Sequence, residues 1–165
     1  MMEVAASADA SPLKKIGIRN GGCREEEGFI TMTFKEARER FHVQGIDNAY
    51  LDTNAAEQDM AFNNCIRLLE GVAKTKTIRR QHSSYGLKHY AEDPAKMFPS
   101  AYADLNTYTG YVHESTLILA ALSLGFACEY RGQKSMNCFF NISETSLRTK
   151  VKQLLEEAKK TANGQ

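Results

Sequence analysis

The sequence predicts an α+β fold: a mainly helical domain of about five helices around a central apolar helix at 114–124, with a small antiparallel sheet that includes a 126–130/136–140 hairpin. Three observations carry that expectation. Apolar residues recur at helical spacing behind good capping residues, Glu114–Leu124 is apolar almost all round, and the stretch after it alternates with the two-residue period of strands. A chain of 165 residues that is 42% hydrophobic can bury one core without disulfides or metals as staples.

Residues 1–14 read as a flexible, small-residue tail, residues 15–160 as the α+β domain and residues 161–165 as a frayed C-terminus. Lys15–Arg19 suits a short strand and Asn20-Gly21-Gly22 a turn. Thr33 stands three residues before Glu36, the spacing at which each side chain satisfies a backbone N–H of the other. A short helix with Phe34, Ala37 and Phe41 on one stripe starts there and stops by Gly45. The second helix runs from Thr53 to Glu70 behind the capping residues Asp52–Asn54, with Ala61, Phe62, Cys65, Ile66 and Leu69 inward. Ser83 or Ser84 caps a third helix carrying Leu87, Tyr90 and Ala91, which Asp93-Pro94 ends because proline disfavours α conformation in the residue before it.

A long connector leads to the central helix, and Gly125 follows where a left-handed residue closes helices. In the hairpin, Phe126 is expected opposite Phe140, Cys128 opposite Cys138 and Tyr130 opposite Met136, all on one face. Ser143 caps the last helix, whose Leu147, Val151, Leu154, Leu155 and Ala158 form a stripe expected to pack on the central helix, while Lys152 and Glu156 pair on the wet side.

Composition narrows the function classes. The 21 Lys and Arg nearly cancel the 20 Asp and Glu, so no global charge names a partner. The longest apolar run, Leu117–Leu122, is far short of the roughly 18 to 20 residues that cross a bilayer, and no membrane partner is expected. Glu3 stands where a secretory signal carries positive charge, and Cys23, Cys65, Cys128 and Cys138 include no C-x-x-C pair; together these predict a reducing, cytoplasmic setting. His42, His82, His89 and His113 have no metal-ligand spacing, so no metal is expected. The phosphate-loop, zinc-protease, serine-hydrolase and calcium-loop motifs are absent, so no cofactor and no catalytic residue are assigned. His113 beside Glu114 could act as an acid–base pair, but a glutamate in a first helical turn is explained by the helix dipole. Cys128 and Cys138 read as small buried hydrophobes, with a redox pair as the alternative.

Two segments stand out. Between Glu70 and Glu92 there is no acid, and Lys74, Lys76, Arg79, Arg80 and Lys88 accumulate with His82 and His89. Such cations neutralise phosphates and release counterions, the Ser84 helix start offers N–H groups to an oxygen, and Tyr85 can stack on a base. Lys88 and His89 lie off the Leu87–Ala91 stripe and are expected to reach outward. The leading expectation is therefore a non-enzymatic accessory protein that binds nucleic acid or another phosphate-bearing polyanion; the alternative for the same residues is a solvated basic face. The second segment is the connector at 95–112, where Tyr102, Asn106, Tyr108 and Tyr111 suit a protein-interaction or inhibitor module, with the basic segment steering an acidic partner, or else tack the loop onto the core. A small enzyme ranks third and would require a pocket gathering His113, Glu114 and a cysteine. The segment from Ser83 to Phe126 resembles small uncharacterised bacterial proteins of the mobile-element kind, with no motif whose chemistry transfers.

Overall fold

The computed structural model describes residues 32–43 and 55–164. The expected tail, the Lys15–Arg19 strand, the Gly45 stop, the capping residues Asp52–Asn54 and Cys23 lie outside the described residues. Among the described residues there are five α-helices and one three-stranded antiparallel sheet.

Helix α1 (Phe34–Arg40) begins with the reciprocal cap that the sequence specifies: Thr33 Oγ1 accepts the Glu36 N–H at 3.2 Å, and Glu36 Oε2 accepts the Thr33 N–H at 2.8 Å. Phe34 and Ala37 are buried, and Phe34 meets the Phe62 ring of α2 (Ala55–Leu69) edge-on. A turn through Gly71, at φ +74°, leads into β1 (Lys74–Ser83), and Ser83 caps α3 (Ser84–Glu92) by accepting the Gly86 N–H at 3.3 Å. Asp93 then starts a 3-10 turn at Pro94–Met97. Central helix α4 (Glu114–Ser123) buries every residue from Glu114 to Ala121 and packs on α1, α2 and α3. Gly125, at φ +77°, closes it: its N–H reaches Leu122 O at 2.9 Å and the Phe126 N–H reaches Ala121 O at 3.0 Å, the two bonds of a Schellman close.

Strands β2 (Cys128–Tyr130) and β3 (Cys138–Ile142) form the expected hairpin, but its register differs from the expected one by two residues. Cys128 faces Phe140 and Tyr130 faces Cys138, so the two cysteines lie diagonally rather than opposite. A two-residue shift leaves every side chain on the same face, and face alternation therefore cannot detect it. The longer loop decides it: the Arg131 N–H bonds Asn137 O at 2.9 Å, with a tight Gly132–Ser135 turn beyond.

The segment read only as a basic run is the third strand. β1 pairs with β3 on the side away from β2, giving the order β1-β3-β2. Its register slips twice between Lys74, opposite Ile142, and Ser83, opposite Phe139.

Helix α5 (Glu144–Asn163) carries the expected stripe, with Leu147, Val151, Leu154 and Leu155 buried. It packs chiefly on α2 and the Pro94–Met97 turn rather than on α4, because a stripe specifies a buried face and not its partner. The Lys152–Glu156 pair does not form; Lys152 lies over the Phe98 ring, and Glu156 accepts from Tyr102 and pairs with Lys159.

Candidate nucleic-acid interface

Among the described residues β1 is an edge strand, with β-branched Thr75, Thr77 and Ile78 between the cations from Lys74 to Arg80, and charged side chains are favoured at a sheet edge. Lys74, Lys76, Arg79 and Arg80 are all exposed along it. Lys74 lies with its ammonium 5.2 Å from the centre of the Phe126 ring. Arg80 pairs with Glu129 across the wet face of the sheet at 2.7 Å, between side chains 72% and 50% exposed, so that pair is weak and easily exchanged for another anion. No carboxylate of the described residues pairs with Lys76 or Arg79.

The cations and hydroxyl beyond Ser83 go elsewhere. Lys88, expected to reach outward, is only 6% exposed. Its ammonium donates to Glu92 Oε1 at 3.0 Å and to Val112 O at 3.2 Å. His89 Nδ1 lies 2.7 Å from the other oxygen of Glu92, which also draws the Val112 N–H at 3.1 Å onto Oε1. Burial alone would raise the Glu92 carboxyl, yet the hydrogen bonds from His89, Lys88 and Val112 together hold it below its ordinary value. Ser84 is fully buried: it donates to Glu114, lies 3.1 Å from Asn137 Oδ1, and accepts the Cys138 N–H at 2.9 Å. It ties α3 to α4 and β3 rather than facing a ligand. His82 bonds Glu144 at the start of α5.

Two aromatic side chains stay at the surface beside this buried lysine. Tyr85, 54% exposed, and Tyr111, 59% exposed, place their ring centres 5.5 and 4.7 Å from the Lys88 ammonium, and His89 meets Tyr85 edge-on at 4.7 Å. Sequence reasoning put Tyr85 and Tyr111 in different sites; the structure brings them together. The i, i+4 spacing of Lys88 and Glu92 was a readable signal for the ion pair, whereas the Val112 carbonyl and the Tyr111 ring come from a distant connector that local spacing does not reveal.

The connector divides. Tyr102 packs on the core, donates to Glu156 Oε1 at 2.9 Å, and lies under Lys159, so it tacks the loop to α5. Tyr108 is 59% exposed, and Asn106 accepts the Tyr108 N–H at 3.4 Å. Thr109 pins this stretch to the end of α3 through Glu92 O at 2.8 Å. Beneath it lies a groove of about 210 Å³ between Leu68 of α2, Leu154, Leu155 and Ala158 of α5, and Tyr108.

The residues that an enzyme reading would need are engaged structurally. His113 caps α4, accepting the Ser115 N–H at 3.3 Å, and Glu114 accepts from Ser84; neither lines the groove, nor does any cysteine. The Cys128 thiol lies below its ordinary value because the Cys138 thiol donates to it, while burial pushes the Cys65 thiol up. Among the described residues no group of His, Cys, Asp or Glu converges as a metal site, and no helix is long and apolar enough to cross a membrane. Comparison with protein-family models, with curated proteins and with solved structures finds no match.

Proposed function

We propose that this protein is a non-catalytic binder of nucleic acid or another phosphate-bearing polyanion, and that β1 is its contact surface. The observation that carries the reading is the run of exposed Lys74, Lys76, Arg79 and Arg80 along one strand, at the edge of the sheet among the described residues. A strand rises about 3.3 Å per residue, so the row offers positive charge along a line rather than at a point, which suits a chain of phosphates better than a single anion. Fluorescence anisotropy of labelled oligonucleotides at low salt tests it. Lys76→Glu/Arg79→Glu is expected to abolish binding, while Arg38→Glu/Lys160→Glu, with the same change in net charge on α1 and α5, keeps it. Equal losses in both variants would reduce the effect to net charge and set the site aside.

A second reading rests on the groove under Tyr108. Its apolar floor of Leu68, Leu154 and Leu155 with Asn64 and Arg67 on the rim suits an apolar side chain of a protein partner. Titration with short phenylalanine- or leucine-bearing peptides is expected to shift the amide resonances of Leu68, Leu155 and Thr109, and Tyr108→Ala to weaken that response. Unmoved resonances at high peptide concentration would contradict it.

A further inference from the structure

We infer that the polyanion is single-stranded nucleic acid, with Tyr85 and Tyr111 as the platform on which its bases stack; the inference rests on β1 being the phosphate-binding surface. Three placements support it. First, the two tyrosines flank one buried ammonium, so their ring centres can be no farther apart than their distances of 5.5 and 4.7 Å from Lys88 combined. Lys88 is itself fixed by Glu92 and Val112, and Tyr85 is further held edge-on by His89, so a ring from α3 and a ring from the connector both lie against one fixed ammonium. Each is nevertheless more than half exposed, so a planar partner can approach them from solvent.

Second, the chain leads from the cations directly to Tyr85. Arg80 and Tyr85 are five residues apart, so they lie within about 17 Å even for a fully extended chain. A nucleic-acid strand whose phosphates follow β1 toward Ser83 has a span of that length, a few nucleotides, to cover to the tyrosines. Third, the surface has the wrong build for a duplex reader. Aromatic rings meet π-faces only where bases are unstacked, and paired bases hide those faces. Helix α3, the helix next to the cations, spans only Ser84–Glu92 and buries Ser84, Leu87, Lys88, Ala91 and Glu92, which leaves little of it to lie in a major groove. Cations along a strand followed by exposed rings is the arrangement that tracks a single strand without reading its sequence.

The test compares three probes by anisotropy or competition at one salt concentration: a labelled single-stranded oligonucleotide, the same sequence as a duplex, and inorganic polyphosphate, which has charge but no bases. The wild type is expected to prefer the single strand over both others. Tyr85→Leu/Tyr111→Leu is expected to lose roughly 5- to 150-fold in single-strand affinity for each base unstacked. Its affinity for polyphosphate should stay unchanged, which also reports that the variant is folded. Tyr85→Phe/Tyr111→Phe keeps the rings and should keep the binding. Polyphosphate binding as tight as the single strand, with no effect of the leucine variant, would overturn the inference and leave the cationic site standing, as would preference for the duplex. Failure of all three probes to bind would overturn the cationic site and this inference with it, and leave an acidic protein as the partner to pursue.

Discussion

At the scale of single residues, the least replaceable group is the Glu92 carboxylate, which collects Lys88, His89 and the Val112 N–H in a setting that is 6% exposed on its side chain. Removing one partner of a buried ion pair leaves the other charge stranded, so Glu92→Gln is expected to lower stability by about 3–5 kcal/mol in urea denaturation. The carboxyl sits below its ordinary 4.5 in the folded protein, so its contribution is complete above that pH and disappears as pH falls through the lower folded value. The wild type should therefore lose stability on acidification below about pH 4.5, and Glu92→Gln should lose less over the same window. Thiol chemistry offers a second check. Of the three cysteines among the described residues, Cys128 should be alkylated first by iodoacetamide at neutral pH, with buried Cys65 and Cys138 following only on unfolding, as mass spectrometry of the peptides will report. The sequence could place Lys88 on α3 but not foresee its burial, because the atoms that cover it arrive from Val112 and Tyr111 in another part of the chain.

At the scale of elements, caps and closures were readable because they are local. Thr33 with Glu36, Ser83, Gly125 and Ser143 all act as the spacing implies. Two substitutions measure them. Gly125→Ala forces a side chain into φ +77° and is expected to cost about 1–2 kcal/mol, although the nearest atom to the new Cβ is the mobile Lys74 ammonium at 3.5 Å. Ser83→Ala removes the acceptor for the Gly86 N–H and is expected to cost about 1 kcal/mol; a loss below a few tenths would mean that water replaces the cap. Pairing was harder to read. Alternation placed Cys128, Tyr130, Cys138 and Phe140 on one face, yet the partner of each was set by the length of the Arg131–Asn137 loop. β1 escaped for a related reason: its charges mask the β-branched Thr75, Thr77 and Ile78, and its pairing with β3 spans a separation that no local pattern records.

At the scale of the whole molecule, one face of the sheet packs on helices through Cys138, Phe140 and Ile142, the other carries the Arg80–Glu129 pair, and the β1 cations divide between the two, Lys74 and Arg79 standing opposite Ile142 and Phe140. The helical core was legible as a set of inward stripes, but not how they meet: α5 settles on α2 and the Pro94–Met97 turn, which frames the groove under Tyr108. The candidate interface was half legible. Lys74, Lys76, Arg79 and Arg80 could be named from the absence of acids around them, whereas their alignment on an edge strand and the union of Tyr85 with Tyr111 required the fold. Cations on a strand at a sheet edge also blunt it against pairing with another chain, so the decisive question is whether these release counterions from a nucleic acid. The measurement that answers it is the salt dependence of single-stranded oligonucleotide binding by the wild type and by Lys76→Ala/Arg79→Ala. If these side chains contact phosphates, the slope of log affinity against log salt falls by about 0.7 for each cation removed. A variant that binds with the wild-type slope would contradict the account.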